Sequence, residues 1–348
     1  MFSHLSIHQI PFGSYQERLL LNGAFFQKLP ARMNRRNFLQ TSIAATAAAT
    51  LPLAVRGEHH GKAKQTRTNP IALSTYSLWR FRNDELRDLH KCIDLASEFG
   101  FDGVELLLYQ FEQNDLFSNS YVQSLKRHAT RLGLPLCGMS THQGFVTPDR
   151  EKRQRNIDLT ISQLELCGRL GIPAMRVNTG RWGTSGSFDE LMANKGKEPP
   201  LNGYTDEDGF PWVIDAFEKC LPTAEKLGVV MGLENHWGLG LTAEGVMRIV
   251  DTVDSPWLQV TLDTGNFLEN RDAQLKALAP HAYFVQAKTY YGGGQWYELD
   301  IDYPKIAQML HKHDYRGWVS LEFEGMEDYR TAIPKSLELL RNAFSYRL

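Results

Sequence analysis

The chain has 348 residues, 42% hydrophobic and 22% charged, enough apolar material to bury a large core without a disulfide or metal as a staple. A formal net charge of -2 argues against the broad basic surface that nucleic-acid phosphates require, so no nucleic-acid partner is expected. The four cysteines, Cys92, Cys137, Cys167 and Cys220, show no Cys-x-x-Cys spacing and read as reduced, structural residues.

Taking the chain in order, Asn34-Arg35-Arg36-Asn37-Phe38-Leu39-Gln40 sets twin arginines before Phe-Leu, and Thr41 to Val55 follows as an uncharged Ala/Thr/Leu stretch. This resembles a twin-arginine export signal. A stretch of about 15 residues is too short and too Ala-rich for a stable membrane span. Met33 directly precedes the motif and offers a second start. Cleavage is expected near Ala54 to Gly57, and His59 to Asn69 reads as a polar, basic linker. Residues 1–68 are thus expected to be an N-terminal extension and 69–348 a single folded domain, exported to the periplasm or another extracytoplasmic space.

From residue 70 one unit repeats: an apolar strand, an amphipathic helix, then a Gly turn into the next strand. Strands are expected at 71–76, 104–108, 135–139, 174–178, 229–233, 258–263, 282–288 and 317–323. Helices are expected at 84–99, 120–132, 149–170, 212–227 and 330–345, among others. Leu132-Gly133, Leu170-Gly171 and Leu227-Gly228 mark helix ends, because Gly adopts the left-handed conformation that stops a helix. Eight alternations predict an α/β protein, a (β/α)8 TIM barrel. A doubly wound open sheet would want a Gly-x-Gly-x-x-Gly turn after an early strand, and the sequence has none. The connection Gly180 to Pro211 is long and polar and reads equally as a lid over the carboxyl-terminal rim or as a disordered surface insertion.

Barrel strands deliver their last residues to one rim, so Glu234, Asp263, Gln286 and Glu322 are expected to converge, with Glu324 competing with Glu322 at period two. Clustered carboxylates need protons or a cation to compensate them. Oxygen donors suit Mn²⁺ first, or Mg²⁺, with Co²⁺ and Zn²⁺ also able to bind. Such an ion would polarise a sugar carbonyl while one glutamate removes the neighbouring proton and another returns it. His236, His142, Arg176, Lys288, Glu105 and Trp237 are candidate substrate contacts. Trp79, Trp182 and Trp296 join Trp237 after predicted strands, where rings could stack on sugar C–H faces. Gly292-Gly293-Gly294 reads as a flexible loop, or less specifically as a phosphate cradle.

Gly-Leu-Glu-Asn-His at 232–236, Leu-Asp-Thr-Gly-Asn at 262–266 and Leu-Glu-Phe-Glu at 321–324 resemble the xylose isomerase-like TIM barrels, the sugar phosphate isomerases/epimerases. The resemblance implies that Glu234 and Glu322 are metal ligands doubling as the acid/base pair and that Asp263 is a further ligand. Where relatives usually carry histidine on the seventh strand this chain has Gln286, whose amide oxygen coordinates less tightly than imidazole. The expected function is a divalent-metal-dependent sugar isomerase or epimerase acting on a free sugar, keto-sugar or keto-glycoside through an enediolate. A lyase or hydratase acting at the same intermediate is a close variant. An endonuclease IV-like phosphodiesterase would want more histidines and a basic face; a non-catalytic carbohydrate-binding barrel is the third reading. The expected partner is a small carbohydrate, and a homo-oligomer is compatible with the sequence.

Overall fold

A computed structural model describes residues 66–111 and 118–347 of the chain; the export-signal reading lies outside these residues. Eight parallel strands close into a barrel in sequential order. They are β1 Ile71–Ser74, β2 Gly103–Leu107, β3 Leu136–Ser140, β4 Ala174–Val177, β5 Val230–Glu234, β6 Leu258–Asp263, β7 Ala282–Thr289 and β8 Val319–Phe323. Each expected strand is present. Nearly every strand residue is buried, since the inner face meets the barrel core and the outer face meets helices.

After one helical turn at Tyr76–Trp79, which takes Tyr76 out of the expected first strand, the longer helices are α1 Leu89–Phe99, α2 Asn119–Arg131, α3 Arg150–Leu170, α4 Phe188–Ala193, α5 Asp206–Leu227, α6 Ala243–Val253, α7 Arg271–Leu278, α8 Tyr303–His311 and α9 Tyr329–Ala343. Gly171 and Gly228 end α3 and α5 at φ of 77° and 67°, as the Leu-Gly turns predict. Two helix boundaries differ from expectation. The helix expected from Asp84 is a 3₁₀ turn, Asp84–Arg87, followed by α1, because Asp88 is extended and its side chain caps His90 N. Helix α5 starts six residues before the expected 212, because Thr205 and Asp208 form a reciprocal capping box that outweighs Pro211 in the second turn.

Thr66–Thr68, assigned above to the linker, pairs antiparallel with Ser345–Arg347. This pairing ties Thr66–Thr68 to the chain's last described residues. Inside the barrel, Ala72, Cys137, Ala174 and Phe284 form an apolar plug that Trp318 backs. Space for a Cβ at Gly138 is filled by both Phe284 and Glu105, so the apolar plug gives way to a polar layer within one side chain.

All four cysteines are free and buried, and burial pushes the thiols of Cys92 and Cys220 up to about 12. Alkylation by iodoacetamide at pH 8 is therefore expected to leave all four unmodified in the native protein and to label all four in denaturant. Mass spectrometry showing native-state labelling of Cys92 or Cys220 would contradict this placement.

Candidate active site

The register that closes the barrel also assembles the polar layer. Ser74 lies beside Glu105, Asp263 beside Gln286, Gln286 beside Ser320, and Lys288 beside Glu322. Deepest is Glu105. Its Oε1 accepts from Ser140 Oγ at 2.6 Å and Gln286 Nε2 at 2.8 Å, and its Oε2 accepts from Ser320 Oγ at 2.6 Å. Burial, then the nearby Glu322 charge, raises this carboxyl above its ordinary value despite those hydrogen bonds. Its role in the structure is to fix Gln286, because that amide nitrogen also lies 3.0 Å from Ser140 Oγ and 3.0 Å from Glu322 Oε1.

Above this layer two cations face four carboxylates. Arg176 Nε lies 3.4 Å from Glu234 Oε2, and its other end donates to Thr141 O at 2.6 Å. Asn266 Nδ2 donates to Glu234 Oε1 at 3.1 Å. Lys288 Nζ lies 2.7 Å from Glu322 Oε2, 3.1 Å from Glu324 Oε1 and 3.4 Å from Asp263 Oδ2. Burial alone would favour a neutral lysine, but Asp263, Glu322 and Glu324 outweigh it and hold Lys288 charged. The Asp263 loop is locked by its neighbours: Asn235 exchanges two hydrogen bonds with the Asp263 backbone, and Gly265 N donates to Asp263 Oδ1 at 2.7 Å.

Burial raises Glu234 to about 8 and Asp263 to about 7, with Arg176 and Lys288 respectively opposing the shift. Burial thus favours the protonated form of both carboxyls when no cation is present. His142 and His236 line the mouth with ring centroids 6.1 Å apart. Burial, then the Arg176 charge, keeps both well below the ordinary histidine value and hence neutral. A neutral imidazole offers one donor and one acceptor, which matches a sugar hydroxyl.

Of the sequence-derived residues, Glu105, Asp263, Gln286, Lys288 and Glu322 are thus joined by contacts, and Arg176 and Glu234 form a second pair, with His142 and His236 close by. Trp237 departs from expectation. It is 5% exposed, packed with Leu191 and Met192 and against Phe188, Leu241, Leu268 and Tyr297, so its face is covered rather than open to a sugar. Trp79 and Trp182 are buried too; Trp296, 38% exposed, donates to Asp189 Oδ1. The sequence reading assigned no role to Ser140, Ser320 or Asn266: the serines carry no pattern to mark them, and Asn266 appears only as the last residue of the 262–266 motif.

The long connection is folded onto the rim. Glu198 is buried within it and accepts from Arg181 Nη1 at 2.7 Å and Gly183 N at 2.6 Å. Gly196, at φ 78°, lies so close to the Trp237 ring that any Cβ there would collide with it. Trp237 is therefore the seat of this segment. Trp237→Ala is expected to cost about 3–5 kcal/mol and to speed proteolytic cleavage between residues 180 and 205. An unchanged digestion pattern and melting temperature would refute that role. The Gly292-Gly293-Gly294 run forms a turn, with Gly294 bridged to Gly325.

Among the carboxylate and amide oxygens of the site, Glu234 Oε2, Asp263 Oδ2 and Gln286 Oε1 are buried and accept no hydrogen bond. Their chemistry fits a hard divalent cation. Glu322 does not join them as arranged, since Gln286 and Lys288 engage its two oxygens. Among the described residues, no three His, Cys, Asp or Glu side chains are grouped so as to hold a metal.

An eight-stranded parallel barrel with a polar, carboxylate-rich rim defines a TIM-barrel protein, and comparison with known proteins agrees. The chain belongs to the xylose isomerase-like TIM barrel family, whose profile matches residues 93–343. Residues 32–52 match the twin-arginine translocation pathway signal, and among the described residues no helix is long and apolar enough to cross a membrane. A "probable ketose 3-epimerase" of Synechocystis is 21% identical over 72% of this chain and 87% of its own length. The structure of 3-keto-D-glucoside 4-epimerase from E. coli superposes with a TM-score of 0.61 at 19% identity, covering 79% of this chain and 99% of that one. D-psicose 3-epimerase from Clostridium cellulolyticum gives 0.58 at 17% identity, covering 76% and 89%. At these identities the structural likeness speaks for the fold.

Proposed function

We propose that the protein is an exported sugar epimerase or isomerase that inverts or moves a stereocentre next to a carbonyl by proton transfer, with Glu234 and Glu322 as the acid/base pair. The observation that carries this reading is their placement: buried carboxyls at the ends of β5 and β8, three strands apart around one closed barrel, with Asp263 on β6 between them. Carboxyls so separated approach a bound sugar from different sides, which inversion at carbon requires. The names of the relatives, ketose and keto-glucoside epimerases, support the same class.

In this reading Glu234, Asp263 and Gln286 would hold a divalent ion, Mn²⁺ first, and Glu322 would join them once freed from Gln286 and Lys288. Bound, the ion supplies Lewis-acid polarisation of the carbonyl and adjacent hydroxyl. The remaining work belongs to the chain. Arg176 orients Glu234, Asn266 holds its second oxygen, and Lys288 offers positive charge to the oxygen that becomes anionic. His142 and His236 position sugar hydroxyls as neutral donors and acceptors. The folded segment anchored by Glu198 and Trp237 limits access of water to the rim. Export by the twin-arginine route favours a free ketose or keto-glycoside over a phosphorylated sugar.

The test is product analysis. The full chain, supplied with Mn²⁺, is incubated with free ketohexoses and with 3-keto-glucosides, and products are resolved by NMR. Conversion of one class into an epimer or aldose/ketose isomer is expected; no turnover of either class would reject the proposal.

A further inference from the structure

The unpaired oxygens and the engaged ones belong to one set of residues. Glu234 and Asp263 each keep a carboxylate oxygen with no hydrogen-bond donor, while both oxygens of Glu322 are taken by Gln286 Nε2 and Lys288 Nζ. Lys288 Nζ also lies 3.4 Å from the open Asp263 Oδ2. The ammonium is thus bonded to Glu322 and drawn to Asp263, two of the residues assigned above to the cation. Its third partner, Glu324, lies one residue beyond β8 and is the least buried of the three.

We infer that Lys288 is a resident counter-ion that competes with the divalent cation for Asp263 and Glu322, and that Glu324 is the position to which its ammonium withdraws on loading. Five carboxyls, Glu105, Glu234, Asp263, Glu322 and Glu324, cluster around Arg176 and Lys288, with Arg80 close to Glu324, to whose backbone carbonyl it donates. Without a fixed cation this group would repel itself or bind protons. Lys288 relieves that repulsion before loading, at the expense of metal affinity. Its side chain needs only to exchange one carboxylate for another already 3.1 Å away, so the charge stays paired throughout. Lys288 is in this sense a positioning residue that sets how tightly the site takes its ion.

The inference rests on the divalent-metal part of the proposed function and is tested by binding, independently of turnover. Full-length protein stripped with EDTA is titrated with Mn²⁺ by calorimetry. Lys288→Met removes the competitor and is expected to tighten Mn²⁺ binding by about 5–150-fold, the usual range of a coupling between two ligands. Glu324→Gln removes the withdrawal position and is expected to weaken it. In the Lys288→Met background, Glu324→Gln is expected to have little further effect, since Glu324 acts through Lys288; a persistent loss would make Glu324 a ligand and overturn its assigned role. If Lys288→Met does not fold, Glu324→Gln alone decides: unchanged or tighter binding refutes the proposal. Wild-type binding that neither variant moves overturns the inference while leaving the metal reading intact. No Mn²⁺ binding by any form overturns both.

Discussion

Glu234→Gln is expected to lower kcat by about 10²–10⁴-fold, the usual contribution of a positioned acid/base group, while leaving the barrel folded. The amide preserves side-chain volume and an acceptor for Asn266, which now donates to Glu234 Oε1, but cannot carry the proton. Glu322→Gln is expected to lose as much, because Glu322 is the carboxyl fixed on both oxygens, by Gln286 and Lys288. Glu324 has only the Lys288 contact among these. Steady-state kinetics on purified variants with unchanged circular dichroism is the check. Either variant retaining activity within about tenfold of wild type removes that glutamate from the acid/base pair; for Glu322 the role would pass to Glu324.

Lys288→Met is expected to be the most destabilising single change at the rim when no metal is supplied. Removing one partner of a buried charge group costs about 3–5 kcal/mol, here equivalent to a fall in melting temperature of roughly 5–15 °C. The deficit has a pH dependence whose sign follows from the carboxyls. Asp263 sits at about 7 with Lys288 holding it down, so loss of the lysine raises it further. A carboxyl raised in the folded state binds more protons folded than unfolded, so stability falls as pH rises from the unfolded value near 4 through the folded one. The difference between variant and wild type is therefore expected to be larger at pH 8 than at pH 5. Equal melting temperatures at both pH values would show that Lys288 balances no charge.

These expectations rest on contacts that the sequence announced only in part. The barrel was legible because its signals are local: each apolar run is short, and Leu170-Gly171 and Leu227-Gly228 mark where helices stop. The site was legible at the level of strand ends, since Glu234, Asp263 and Glu322 interrupt or close apolar runs. What joins them was not. Glu105 finds Ser140 and Ser320 across gaps of 35 and 215 residues, and a serine in a buried strand looks the same whether or not it donates to a carboxylate. The pairing of Lys288 with three carboxylates depends on the register between β7 and β8, which periodicity does not determine. Trp237 was misread for a related reason. Its position after β5 was visible, but not that Gly196, more than 40 residues upstream by sequence, would fold back against its ring.

The most direct test of the proton-transfer account is turnover in heavy water. The Mn²⁺-supplied full chain is incubated in D₂O with the ketose or keto-glycoside it converts, and product is examined by mass spectrometry and NMR. Proton abstraction next to the carbonyl predicts deuterium at the inverted or newly hydrogen-bearing carbon, with the same label appearing in recovered substrate as the reaction reverses. Product formed with its original hydrogen retained throughout would contradict the account, because transfer between two carboxyls leaves the abstracted hydrogen on one and delivers a different proton from the other.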